Sequence, residues 1–454
     1  MATYYVAPPP VGNDANPGTA LLPWATVNHA ATTAVAGDTV YYNNGTYDLG
    51  AQQTAWNSGS AIGGYIIHEA INSHLAIWEQ TSYTSGAVEL TAESYIQFVG
   101  IRMQQAVITS IGWFVDLNGC DHITLDDVEI TQTCPHGLFI RDGCSDITVN
   151  GCEIHPEDVT AIGYGRDGVL IYGTAANTNI VITNCEIYHT SHVGINSASN
   201  CHVNDTYVIH DNIIHDNMSH CIGMEGRGTA EIYDNVLYGA GSYWTDAGTT
   251  GLLIGGNDTD DVNVTAYRND IYDNGGPGIQ IFSTCGTVNI WNNTLERNNE
   301  DGPDYGSIGV LFRAGTQGTI HIRNNIIYHT WAGRYCYLVD IGALAAISTD
   351  YNLWYDSTLE ETMWIEGVTY GTFAAYVTAG YEPNSVMSQD PLFTNQAAHD
   401  FSLQAGSPAI DEGVNVGLPY QGVAPDIGAH ERSAGGGAVV MLVIVVTVVT
   451  MVQT

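Results

Sequence analysis

Asn269-Asp-Ile-Tyr-Asp-Asn-Gly-Gly-Pro-Gly-Ile-Gln-Ile281 holds both landmarks that recur along this chain: an asparagine with an apolar residue two positions on, and a glycine opening a short apolar run. Working outward, the glycine landmark recurs as Gly137-Leu-Phe-Ile, Gly168-Val-Leu-Ile, Gly194-Ile-Asn-Ser, Cys221-Ile-Gly-Met, Gly251-Leu-Leu-Ile, Gly278-Ile-Gln-Ile and Gly309-Val-Leu-Phe, at steps of 31, 26, 27, 30, 27 and 31 residues. The asparagine landmark recurs as Asn184, Asn212, Asn235, Asn269, Asn293, Asn325 and Asn352, mostly with an apolar residue at the second position after it, alternating with the first series. Alternation within each run places Leu138, Val169, Ile195, Ile222, Leu252, Ile279 and Val310 on one face, one above another. A cycle of this length, with several short strands per cycle, is a parallel β-solenoid.

Coils stacked about 4.8 Å apart share one interior of apolar ladders. Asparagine at a repeated bend tolerates left-handed backbone geometry, and stacked amides bond to one another along the axis. Cys152 and Cys185 fall at equivalent places, in Asn150-Gly-Cys-Glu-Ile and Thr183-Asn-Cys-Glu-Ile, which predicts neighbouring buried thiols. No Cys-x-x-Cys or zinc-ligand spacing occurs, so no metal site is expected. Solenoid ends expose strand edges, and Trp24–Val35 is the best helix candidate to cap the first strand, placed at Asp38-Thr-Val-Tyr-Tyr42.

The chain has 454 residues, 48 of them acidic and 10 basic, for a formal net charge of −38; all the basic residues are arginine. The lack of lysine excludes a lysine base, a Schiff base and a phosphate-loop lysine. The negative field disfavours nucleic acid and anionic membrane as partners. With 44% apolar and 13% charged residues, the chain can bury a large core. The start, Met1-Ala-Thr-Tyr-Tyr-Val-Ala-Pro-Pro-Pro10, has neither a basic n-region nor an apolar h-region, so no Sec signal is seen.

The two ends carry a resemblance. Tyr4-Tyr-Val6, Asn13-Asp14, Asn16-Pro-Gly-Thr19, Pro23-Trp-Ala-Thr26, Ala36-Gly-Asp-Thr-Val40 and Gly45-Thr-Tyr47 resemble the N-terminal cap of right-handed parallel β-helix proteins of the pectin-lyase-like superfamily. Asp390-Pro-Leu-Phe393, Asp400-Phe-Ser-Leu403, Gly406-Ser-Pro-Ala-Ile-Asp411 and Asp426-Ile-Gly-Ala-His-Glu431 resemble the closing module of variably anchored surface proteins in that superfamily. The resemblance implies an all-β, right-handed parallel β-helix with an N-terminal helical cap. It does not choose an activity, because the superfamily includes lyases, hydrolases, epimerases, adhesins and phage tailspikes. The lysine-dependent lyase motifs are absent, and of the polygalacturonase-like motifs only Asp126-Asp127 and Asp260-Asp261 have a counterpart.

The register suggests a candidate site. His136, Asp167 and His220 stand before the aligned residues, with His192 one position further back; Arg141 and Glu225 are outward, and Arg166 and Arg227 are close by. Stacking brings such groups within about 5 to 15 Å on one face, an arrangement suited to proton abstraction beside a uronate carboxylate. The same groups are of a kind that holds a divalent cation such as Ca²⁺, although no resident cofactor is expected. Turn-forming His, Asn and Asp are common at solenoid bends, so a purely structural role competes with these. Tyr172 and Phe282 are outward and, with Arg166 and Arg227, are the candidate carbohydrate contacts.

After Ser433-Ala-Gly-Gly-Gly437, fifteen uncharged residues run from Ala438 to Val452. As a helix they would span about 22 Å, short of a bilayer core, and no basic residue anchors the end. Valine dominance favours a strand, with Val439, Val440, Leu442, Val443, Ile444, Val445 and Val446 as the assembly surface. The expected organisation is a cap and first strand at 1–48, coils at 49–355, a C-terminal β module at 356–432, and a Gly linker and apolar tail at 433–454. The expected function is structural or adhesive, at an extracellular surface or on a virion as an appendage or capsid decoration protein facing a surface polysaccharide. The expected partner is a second copy of the chain or a carrier protein that pairs with the tail, giving a homo-oligomer. The alternatives are a polysaccharide lyase, epimerase or hydrolase, and a membrane-tethered surface protein if the tail is a helix.

Overall fold

The computed structural model describes residues 1–432 apart from 51–52, 82–85, 106–111, 133–135, 157–166, 199–200, 242–248, 257–261, 283–284, 299–305, 312–317, 331–333, 341, 344–346, 359 and 361. Among the described residues, three sheets of 13, 13 and 12 strands run the length of the molecule, and consecutive coils pair in parallel. Each coil visits them in the same order: His136–Arg141 lies in sheet 3, Ser145–Asn150 in sheet 1 and Glu153–Pro156 in sheet 2, before Val169–Tyr172 returns to sheet 3. The fold is therefore the all-β parallel solenoid expected from the repeat.

Leu138, Val169, Ile195, Ile222, Leu252, Ile279 and Ile308 pair in one column along sheet 3, and all are fully buried. Ile308, not Val310, occupies the last place, because Gly309 pairs with Gln280. Side chains alternate with period two, so a slip of two residues leaves the apolar face unchanged and is invisible in the pattern.

The corner between sheets 1 and 2 has two residues. The first is left-handed: Asp127, Gly151, Asn184, Asp211, Asp234, Arg268, Asn292, Asn324 and Tyr351 all have φ between 50° and 62°. The second points inward, and this is where the asparagines sit. Asn212, Asn235, Asn269, Asn293, Asn325 and Asn352 form a buried ladder, each Nδ2 donating to the next Oδ1 at 2.9 to 3.1 Å. Every rung is also tied to backbone: Asn235 Nδ2 donates to the Ile209 carbonyl, and its own N–H donates to Asn269 Oδ1. The expectation that the ladder asparagines adopt the left-handed conformation is thus corrected by one residue. Asn184 is an exposed left-handed corner residue, and Cys185 takes the ladder place beside Cys152. Both cysteines are free buried thiols; Cys134 lies outside the described residues.

The N-terminal helix forms at Val27–Thr33, where Thr26 Oγ1 accepts from His29 N and Val27, Ala30 and Ala31 are buried. Asp14 accepts from the N–H groups of Ala25 and Thr26, which fixes the helix entry. The first strand is Thr3–Val6, which pairs with Thr39–Tyr42, so the chain enters sheet 1 before the helix rather than after it. At the other end, the sheets run on through Met363–Ile365 and Val386–Met387. The hairpin of Phe393–Asn395 and Asp400–Leu403 then folds back over sheet 2. There Gln396 donates to Glu296 Oε1 at 2.8 Å, and His399 stacks on Tyr272 at 4.1 Å. This segment covers the outside of sheet 2 from about Tyr272 to Tyr328.

Asn269→Ala removes four hydrogen bonds from a dry interior, and we expect it to destabilise the chain by about 3 kcal/mol. Asn184→Gly keeps the left-handed corner and should cost less than about 1 kcal/mol. Urea unfolding of the two variants followed by circular dichroism compares them.

Candidate functional site on sheet 3

Asp167 is 2% exposed and stands just before a strand of sheet 3. Its Oδ1 accepts from His192 Nδ1 at 2.7 Å and from the Val193 N–H at 3.1 Å. Its Oδ2 takes Asn196 Nδ2 at 3.4 Å and lies 3.4 Å from His136 Nδ1. Burial alone raises the Asp167 pKa, but the bonds to His136 and His192 outweigh it and bring the carboxyl down to about 2. The hydrogen bond to Asp167 in turn raises the His192 pKa, and the charge of Glu225 adds to it. His136, Asp167, His192 and Glu225 are therefore brought together as the repeat register predicts.

The other candidates lie differently. His220 is buried, and burial lowers its pKa to about 3, with the His192 charge acting in the same direction; its Nδ1 lies 2.9 Å from Thr250 Oγ1. It is a neutral interior histidine beside the cluster rather than a surface group. Arg141 is forked onto the buried carboxylate of Asp116, Nε to Oδ1 and NH2 to Oδ2, both at 3.0 Å. A guanidinium spent in this way is not presented to a uronate. Tyr172 is 36% exposed, whereas Phe282 keeps only 8% of its surface, so only the tyrosine is presented. Arg227 is half-buried. Arg166 and the assembly tail, Val439 to Val446 included, lie outside the described residues.

Beside Asp167, the outer face of sheet 3 carries a run of rings. Trp113 and Phe139 have centroids 5.2 Å apart at 36°, Phe139 and Tyr172 are 6.1 Å apart at 44°, and the Arg141 guanidinium lies over both Trp113 and Phe139 at 5.5 Å. Within this run Phe139 keeps only 8% of its surface and lies under the Arg141 guanidinium, Trp113 is half-buried and Tyr172 is 36% exposed, so the surface open to a sugar's C–H face is Tyr172 with part of Trp113.

The glycine series drew attention to sheet 3 and missed a second grouping on sheet 2. His155, Tyr188, His215, Tyr238 and Tyr272 stack face to face at 4.7 to 5.1 Å with planes within 10°. Carboxylates flank them: Glu129 lies 3.6 Å from His155 and 3.4 Å from Arg102, Tyr188 donates to Glu153 at 2.7 Å, and Glu186 lies 3.2 Å from His215. The signal was present, since each ring stands three residues after the inward corner position, as in Asn212-Ile-Ile-His215 and Asn235-Val-Leu-Tyr238. Because the rings cover one another's faces, only their edges are offered outward. Two further groups have metal-ligand atoms within 4.8 Å of one another: Asp121, His122 and Asp146, half-buried, and His329, Cys336 and Asp356, buried.

A model described as the right handed beta helix region matches residues 97–259 and 242–341, together more than half of the chain. The chain belongs to the right-handed β-helix family. An uncharacterized protein of Bacillus subtilis strain 168, YwoF, is 23% identical over 89% of this chain and 92% of its own length. Among solved structures, the pectate lyase Pel9A is similar at 20% identity, covering 95% of this chain and 96% of its own, with a TM-score of 0.57. PfbA, a surface adhesin of Streptococcus pneumoniae, is similar at 11% identity, covering 75% of this chain and 85% of its own, with a TM-score of 0.50. At these identities the structural likeness establishes the fold. No helix among the described residues is long and apolar enough to cross a membrane.

The sign of each pKa shift sets the pH dependence. Asp167 contributes stability above its ordinary value of 3.8 and loses it as pH falls through about 2; the His192 contribution is complete below 6.5 and is lost as pH rises through its higher folded value. Asp167→Asn should therefore move the His192 titration midpoint down toward 6.5, as read by NMR of the histidine ring nitrogens.

Proposed function

We propose that this β-helix protein recognises a glycan at an extracellular surface, and that the saccharide lies on sheet 3 over Tyr172 and the half-buried Trp113, beside the Asp167–His192 pair. The single observation that carries the reading is a charged carboxylate, 2% exposed, that clamps two histidines next to a tilted run of rings. Rings supply stacking area, and a fixed imidazole pair supplies directional bonds to hydroxyls. A surface location agrees with the net charge of −38, which keeps a long β body soluble and discourages edge-to-edge association. The finer assignment, a virion appendage or capsid decoration protein, rests on residues 433–454 as the attachment strand that adds to a second copy or to a carrier protein.

A second reading, a lyase or epimerase, is favoured by one feature of the same site. His192 holds its Nδ1 on Asp167 while its side chain is 40% exposed, the arrangement of an oriented general base with Nε2 as its working nitrogen.

A glycan array followed by calorimetry tests the binding reading: Tyr172→Ala and Trp113→Ala should each weaken the best ligand about tenfold, or ~1.4 kcal/mol. Unsaturated-uronate absorbance across a panel of acidic polysaccharides separates the two readings, because turnover abolished by His192→Ala would make the protein an enzyme. Deleting residues 433–454 should abolish assembly, measured by light scattering, and leave the circular dichroism of the solenoid intact.

A further inference from the structure

The last complete coils of the solenoid bring three ligand-type side chains to one buried point. His329 ends the strand Ile326–His329 in sheet 2 and is paired in register with Asp356, at the end of Leu353–Asp356 on the next coil. Cys336 stands directly before Tyr337–Val339, where the same coil enters sheet 3. All three residues are buried, at 0%, 1% and 0% exposure for His329, Asp356 and Cys336, and their donor atoms lie within 4.8 Å of one another.

We propose that His329, Cys336 and Asp356 bind a transition-metal dication of the zinc class, which ties together two neighbouring coils and the corner between sheets 2 and 3. The spacing fits. On a tetrahedral zinc with a Zn–S distance of ~2.3 Å and a Zn–O distance of ~2.0–2.2 Å, sulfur and oxygen stand about 3.5–3.7 Å apart. Cys336 Sγ and Asp356 Oδ2 are 3.8 Å apart.

The surroundings fit too. The other carboxylate oxygen of Asp356, Oδ1, accepts from the Thr358 N–H at 2.7 Å and from its hydroxyl at 2.6 Å, which leaves Oδ2 turned toward the sulfur. Ser307 Oγ lies 3.1 Å from His329 Nδ1 and fixes the ring. Bonds of this type hold the ligating side chains of metal sites in orientation. The charge balances: the Cys336 thiol donates to Asp356 Oδ2, and a dication taking the place of that proton neutralises the thiolate and the carboxylate together while a neutral imidazole completes the donor set. Binding releases the thiol proton to solvent and involves no redox change; a water or a backbone carbonyl takes the fourth position.

The test uses the full chain expressed in zinc-supplemented medium and dialysed against metal-free buffer. Elemental analysis should find about one zinc per chain. Cys336→Ser and Asp356→Asn should each fall below about a tenth of that, while Cys152→Ala, far along the solenoid, should keep it. Because a variant in the core can fail to fold, the wild-type chain is also stripped and titrated with Co²⁺, where the expected signal is a single thiolate-to-cobalt band with the visible bands of a tetrahedral ion. Wild-type protein that retains no stoichiometric metal and shows no such band, or a folded Cys336→Ser that binds as well as wild type, would overturn the proposal.

Discussion

The interaction on which the rest of this structure depends is the hydrogen-bonded column of amides from Asn212 to Asn352. At each corner the chain must turn sharply from sheet 1 to sheet 2 while its backbone N–H and C=O groups sit in an interior without water. A buried asparagine answers this with one acceptor and two donors, and each rung is tied both to the next amide and to a backbone carbonyl. The left-handed residue just before it, Asp234 or Arg268 for example, makes the bend sterically feasible and turns outward. The division of labour explains why adjacent corner residues differ so sharply in chemistry. Where the column ends it is closed by other groups: Cys185 donates its N–H to Asn212, and Asn352 donates to the buried Glu382.

Once coils are held in this register, everything outside them becomes columns. A column of rings on sheet 2 stacks face to face at the coil spacing and is then partly covered by the returning C-terminal hairpin, with His399 on Tyr272 and Gln396 on Glu296. Sheet 3 carries a looser run of rings and, beside it, a carboxylate that gathers His136 and His192. The same geometric rule, one residue per coil per column, produces a stack of rings on one sheet and a hydrogen-bonded cluster of ionisable groups on another. The difference lies in how the rings meet: parallel planes at the coil spacing on sheet 2, and tilted planes on sheet 3 that leave Tyr172 exposed at the end of the run.

Arg141 shows how tertiary context changes the meaning of an outward residue. Its position on the strand is outward as the alternation requires, yet Asp116 on the preceding coil is fully buried and takes the Nε and NH2 of the guanidinium, while NH1 donates to Asp142. An isolated buried carboxylate is so unfavourable that the arginine's role is decided by that neighbour. His220 is similar: one strand position separates a histidine in the half-exposed cluster from one sealed beneath it.

The parallel solenoid, the capping helix, the inward apolar column and the asparagine column were all legible in the linear sequence, because they arise from local alternation and from a repeat of roughly one coil. So was the grouping of His136, Asp167, His192 and Glu225, which needs only the register. The two-residue slip at Gly309 and the one-residue offset at Asn184 were not, since alternation is blind to a shift of two and a corner motif does not say which of its residues points inward. Pairings between coils were decided by tertiary structure alone: Arg141 with Asp116, the ring stack of sheet 2, and the meeting of His329, Cys336 and Asp356 across gaps of 7 and 20 residues that match no ligand motif. The physical reason is common to all three. A solenoid converts separation along the chain into contact along its axis, and the variable loops in each coil set which side chains come into that contact.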